Sequence, residues 1–202
     1  NLFLISDEAY EHVLYDGAEH VSLGSLPGAQ TRTISVYSMS KTYAMSGLRL
    51  GYLVINDALL LDRIKKLVRC TINGVNSVTQ YGAAAALTGP QDATRSMALE
   101  YQKRRDILFD ALEEAPYLRA FKPGGAFYLW AKILPEWPGH DGKRDDWSMT
   151  NYLIDAAGIG SSPGSAFGPA GDGCIRFAFS CSTAQVEEAA SLLPDILSKA
   201  GK

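Results

Sequence analysis

The sequence has 202 residues, 47% of them hydrophobic, enough for one core or two modest domains. Its 19 Lys and Arg against 22 Asp and Glu give a formal net charge of −3, and the basic residues are scattered among acids. That distribution excludes a basic stripe for nucleic acid, and no apolar run is long enough to cross a bilayer.

No charged leader precedes a signal-like segment, so the expected compartment is the cytoplasm, with no membrane or nucleic-acid partner. Cys70, Cys174 and Cys181 form an odd set in apolar surroundings, VRCTI and GCIRFAFSCS, and are expected to be reduced and partly buried. His12, His20 and His140 show no metal-ligand spacing, and no metal site is expected.

In chain order, LFLIS (2–6) is a continuous apolar run and reads as a strand covered on both faces, with Asp7 at its C-terminal end. It starts without a cap, turn or polar lead-in, which predicts that the sequence is the later part of a longer protein. TRTISVYS (31–38) and LRLGYLVI (48–55) read as two further strands, with Lys41 in the loop between them. From Asp57, a plausible N-cap, the apolar period becomes helical in DALLLDRIKKLV. NSVTQYGAAAALTG (76–89) is a small-sided second helix closed by Gly89-Pro90, and 92–116 is one long amphipathic helix.

The remainder changes style. LRAFKPGGAFYLWAKI holds two strands around a Pro-Gly-Gly turn, and a polar loop leads to the helix DWSMTNYLIDAAG. The loop SSPGSAFGPAGDG precedes the strand CIRFAFS. A last helix, STAQVEEAASLLPDILSK, is capped by Ser182 or Thr183, with Glu187 in a capping-box-like position. Strands alternating with helices make this an α/β protein.

Chemical groups in open α/β sheets collect at the C-terminal ends of strands. Taken singly, Asp7 reads as a turn cap, Lys41 as a solvated loop residue and Arg176 as an edge-strand cation. Together they read otherwise. Lys41 lies among Ser38, Ser40 and Thr42, whose hydroxyls can meet anionic oxygens, and Arg49 is eight residues on. A cation there would neutralise a phosphate and favour an unprotonated amine. Arg176 alternates with Ile175 and Phe177 in its strand, beside a glycine-rich loop, and is well shaped to grip a carboxylate.

SMSKTYAMSGLRLG (38–51) resembles the pyridoxal-phosphate attachment motif of the class I/II aminotransferases, the aspartate aminotransferase superfamily. SDEAY, GGAFYLW, PGSAFG and IRFAFS resemble further signatures of that family in the usual order, so that the likeness covers essentially the whole chain. The resemblance implies the fold-type I architecture: 1–91 as the C-terminal portion of the three-layer α/β/α large domain, and 92–202 as an α+β small domain begun by a long connecting helix. It implies pyridoxal 5'-phosphate as cofactor. Lys41 would be the catalytic lysine, forming the Schiff base and then shuttling the α-proton. Asp7 would face the pyridine nitrogen, Tyr10 the 3-oxygen, Ser38 and Arg49 the phosphate, and Arg176 the substrate carboxylate. Ser40 and Tyr43 read as a loop hydroxyl and a packing aromatic, and Tyr128 and Trp130 as core or domain-seam residues.

The implied reaction moves an amino group between an α-amino acid and a 2-oxo acid, with 2-oxoglutarate the expected acceptor. Relatives with the same core include β-lyases, decarboxylases and the synthase of aminocyclopropane carboxylate, and a non-catalytic regulator with this domain is a further alternative. The family's chains are roughly twice as long, so 202 residues correspond to the C-terminal half, with an apolar sheet edge expected to be exposed. A homodimer is implied, with RCTINGVNSVTQYGAAAAL as the candidate contact segment and Thr71, Asn73 and Asn76 as its polar groups. Domain closure about the long helix is expected to carry Arg176 toward the cofactor.

Overall fold

The computed structural model describes residues 2–201. Contacts divide it into two compact units, Asn1–Ala98 and Leu99–Lys202.

The first unit is built on a three-stranded sheet of order β1 (Leu4–Asp7), β2 (Thr33–Ser38), β3 (Gly51–Ile55). β1 runs parallel to β2, with Asp7 level with Val36, and β3 runs antiparallel to β2. Lys41 lies not in a loop but on a short helix, α1 (Met39–Thr42). The third strand starts later than its apolar run suggests, because Ser46–Leu48 forms a 3-10 turn and Arg49 takes a left-handed backbone, φ 55°. α2 (Ala58–Thr71) begins where Asp57 accepts the Leu60 N–H at 2.7 Å. α3 (Ser77–Thr88) begins where Asn76 accepts from Val78 and Thr79.

β1 has one neighbour among the described residues, and Leu2, Phe3 and Ile5 are 78%, 69% and 75% exposed, the apolar sheet edge expected of this half of the family's chain. Of the three polar groups expected around a contact crevice, Asn76 is engaged in capping and Thr71 donates to the Leu67 carbonyl of its own helix. Asn73 takes a left-handed turn conformation, φ 63°.

α4 (Asp92–Glu114) runs through the division at Ala98 into the second unit, whose antiparallel sheet has the order β4 (Leu118–Phe121), β5 (Tyr128–Ile133), β7 (Cys174–Ala178), β6 (Ser162–Pro163). β6 is a two-residue strand inside the segment read as a loop. α5 (Asp146–Ala157) is capped by Asp145 and closed by Gly158 at φ 66°, a left-handed position that favours glycine. Leu129, Ala131, Ile175 and Phe177 from the sheet pack in the core with Met149 and Leu153 of α5, and these six side chains are nearly inaccessible to solvent.

α6 (Thr183–Ser198) closes the chain, and its N-terminus has a full capping box. The reciprocal partner of Ser182 is Gln185 at N3, not Glu187, because only the third helical position reaches back to the cap N–H. Ser182→Ala is expected to destabilise this unit by about 1 kcal/mol, read as a lowered denaturant midpoint, with Ser182→Gly losing only a few tenths. The cysteines are all free, but Cys70 and Cys181 are exposed rather than partly buried. Among the described residues no helix is long and apolar enough to cross a membrane, and no group of three His, Cys, Asp or Glu could hold a metal ion.

Candidate functional site

The parallel pairing of β1 and β2 sets the geometry of the first unit. Because both strands run the same way, Asp7 and Ser38 end at the same edge of the sheet, and α1 carries Lys41 on from that edge. Asp7 is exposed, and its Oδ1 accepts the Ala9 N–H at 3.2 Å, the Asx turn foreseen as its plainest role. Tyr10 is half-buried in the turn that follows. Ser38 is the N-cap of α1, its Oγ accepting the Ser40 N–H at 3.2 Å.

From Lys41 to Arg49 the chain folds back on itself. The Met39 N–H donates to Leu50 O and the Met45 N–H to Met39 O, both at 3.1 Å. The Ser46 hydroxyl donates to Ser40 O at 3.1 Å, and Arg49 Nη1 donates to Ser46 O at 2.8 Å. Lys41 is half-buried on this knot and Arg49 is exposed. Gly51 has a steric reason to be glycine: a Cβ there would meet the Tyr37 carbonyl oxygen at 2.4 Å. Thr42, one of the hydroxyls read as able to meet anionic oxygens, is 1% exposed, and its Oγ1 is buried without a hydrogen-bond partner among the described residues. Tyr43 donates to Gln91 Oε1 at 3.1 Å, consistent with its reading as a packing aromatic.

Glu8 is the residue that sequence reasoning missed in this unit. It is 3% exposed, and its carboxylate meets His20 Nε2 and accepts from Ser22 Oγ, each at 2.6 Å. Ser22 in turn accepts from Tyr37 O–H at 3.3 Å, and the Tyr37 ring stacks on Tyr52 with centroids 4.8 Å apart. Burial works against ionisation of Glu8, but hydrogen bonds from His20, Ser22, Ser35 and Ser6 outweigh it and hold the carboxyl below its ordinary range. Burial, followed by the charge of Glu11, pushes the Tyr52 phenol up to about 12. The strand's alternation was the available signal: adjacent Asp7 and Glu8 must point to opposite faces.

In the second unit, Arg176 is half-buried in β7, beside Trp130 of β5 and Ser162 of β6. Its guanidinium lies between two rings, 4.3 Å from the Tyr128 centroid and 4.1 Å from that of Phe167. Phe167 comes from the glycine-rich loop, which does fold over this face. Tyr128 is therefore more than a core aromatic, since it covers one side of the arginine.

The first unit thus carries a half-buried lysine, hydroxyls and a guanidinium on one segment, next to the sheet edge where the Asp7 carboxylate ends. The chain belongs to the family described as aminotransferase class I and II, whose model matches residues 1–193. It is 36% identical over 199 residues to an aspartate aminotransferase of Pyrococcus abyssi, covering 98% of this chain and 49% of that protein. To the arginine–pyruvate transaminase of Pseudomonas aeruginosa it is 35% identical over 176 residues, 87% of this chain and 43% of the relative. The crystal structure of an aromatic aminotransferase from Pyrococcus horikoshii matches with a TM-score of 0.89 at 34% identity, over 98% of this chain and 51% of that one. The chain thus spans about half the length of the relatives it matches.

Members of this family use pyridoxal phosphate. The donor set fits that group. Asp7 is exposed with one backbone contact on its carboxylate, and Ser38 and Arg49 flank the half-buried Lys41 on a hydrogen-bonded segment.

Proposed function

We propose that the polypeptide containing this chain transfers an amino group between an α-amino acid and a 2-oxo acid, using pyridoxal phosphate. The observation that carries this reading is Lys41 on the hydrogen-bonded segment 38–50, following the sheet edge where Asp7 ends. The cofactor, when bound, supplies an electron sink for the pair left as the Cα–H bond breaks. Lys41 anchors it covalently and then carries the α-proton. The Asp7 carboxylate favours a protonated ring nitrogen, and Tyr10 donates to the 3-oxygen. Ser38 and Arg49 hold the phosphate, and Arg176 holds the substrate α-carboxylate in its planar fork. The names of the relatives, which act on aspartate, arginine with pyruvate, or aromatic amino acids, support an amino-acid donor without selecting one.

We extend the proposal to 2-oxoglutarate as acceptor, a homodimer in the cytoplasm, and domains divided at residues 91 and 92. The test is to incubate the full-length polypeptide with a panel of ¹⁵N-labelled amino acids and 2-oxoglutarate. Label appearing in glutamate is expected. Release of CO₂ or of a β-substituent without nitrogen transfer would replace this reading with a decarboxylase or lyase. Cofactor-free, inert protein would point to a regulator. Sedimentation of the same sample checks the dimer, which a fully active monomer would overturn.

A further inference from the structure

We propose that Phe167 and Tyr128 are positioning residues that set how tightly Arg176 binds a carboxylate. The inference rests on the reading of Arg176 as the carboxylate-binding residue. The guanidinium carbon lies over two rings, 4.3 Å from the Tyr128 centroid and 4.1 Å from that of Phe167, so that both pack against it. A guanidinium binds anions only through N–H groups in its own plane, so rings packed against it leave that function intact and restrict the ways it can tilt.

The environment restricts the plane further. Arg176 Nε is buried without a hydrogen-bond partner. Among the described residues the side chain makes no hydrogen bond or ion pair, and its Nη atoms are open to solvent. The ligand-facing edge is therefore the Nη pair, the end-on fork that matches two carboxylate oxygens. Among the described residues no acidic partner competes for it. An arginine without such a partner would ordinarily sample many rotamers, and the sandwich replaces an ion pair as the device that fixes it.

Phe167 is suited to this work because it is held in turn. It is 51% exposed, a cost for a large apolar ring, yet its edge is met by Trp130 with centroids 5.9 Å apart. Trp130 is the register partner of Arg176 on β5, so the sheet that carries the arginine also carries the brace for its cover. Tyr128 lies two residues before Trp130 on the same face of β5 and closes the other side.

The experiment uses the full-length, cofactor-loaded polypeptide and four variants, Phe167→Leu, Phe167→Tyr, Arg176→Ala and the double variant Phe167→Leu with Tyr128→Leu. One readout is the KM and kcat of an accepted amino acid beside those of the corresponding amine lacking the carboxylate. Another, independent of turnover, is calorimetric binding of 3-phenylpropionate, propionate and acetate. Phe167→Leu is expected to raise the amino acid's KM and the carboxylates' Kd about fivefold, with kcat within about twofold and the amine unaffected. Phe167→Tyr restores a ring and returns both to within about twofold. Tyr128→Leu added to Phe167→Leu deepens the loss to about tenfold or more, and because Phe167 is half exposed the single variant keeps the test valid if the double variant fails to fold. If Arg176→Ala abolishes the carboxylate preference while Phe167→Leu leaves KM and Kd unchanged, the positioning role is overturned and the arginine's role stands. If Arg176→Ala itself leaves the preference intact, the reading of Arg176 falls and this proposal with it. A loss of kcat at unchanged KM, or no rescue by tyrosine, would also overturn it.

Discussion

Lys41→Ala in the full-length polypeptide is expected to slow amino-group transfer by about 10³-fold or more and to remove the visible-range absorbance of covalently held cofactor. The substitution deletes the amine that anchors the cofactor and carries the proton. It removes little packing: Lys41 is half-buried on a four-residue helix whose first residue is held by two backbone bonds, Met39 N–H to Leu50 O and Met45 N–H to Met39 O. Circular dichroism and thermal unfolding should therefore stay close to those of the parent. An unchanged spectrum would assign the attachment to another lysine, for which Lys122 and Lys132 are the candidates nearest in kind. Lys122 is the weaker of these, being ion-paired to Asp106 at 2.9 Å.

Adjacent carboxylates in SDEAY are expected to fail in opposite ways. Asp7→Ala should lower activity by about 10²-fold or more with little change in stability, because Asp7 is exposed and holds one backbone N–H. Glu8→Ala should destabilise the first unit by about 3 kcal/mol, because it strands His20, Ser22 and their hydrogen-bonded neighbours in a buried site. Equal loss of stability in both variants would refute the division. The pH dependence has a definite sign. The folded-state pKa of Glu8 lies below the ordinary glutamate range, so its contribution is complete above that range and is lost as pH falls through the lower folded value. Acid unfolding of Glu8→Gln should lack that share of the slope. A parent and variant with the same dependence below the ordinary carboxylate range would remove Glu8 as its source.

Much of the site could be read along the chain because its determinants are local. The attachment segment 38–51 is contiguous, and the glycine at its end has a steric cause, the Tyr37 carbonyl 2.4 Å from any added Cβ. Asp57 and Ser182 announced their helices because a cap and the N–H groups it satisfies lie within one turn. The same locality misled where a second strand or a loop decides the outcome. Lys41 reads as a loop residue and lies on the short helix α1. Thr42 reads as one of the hydroxyls able to meet anionic oxygens and is buried.

By itself the sequence determined the α/β class, the alternation of strands and helices, the segment that carries Lys41, and the choice of Asp7, Ser38, Arg49 and Arg176 as groups to examine. Periodicity, caps and short motifs are properties of neighbouring residues, and they survive without knowledge of what packs where. Tertiary structure alone decided that Glu8 is clamped by His20 and Ser22 while Asp7 stays in solvent, and that Arg176 lies between Tyr128 and Phe167. Those outcomes depend on strand pairing and loop closure, which bring distant residues into contact, and burial is a property of the contact rather than of the residue.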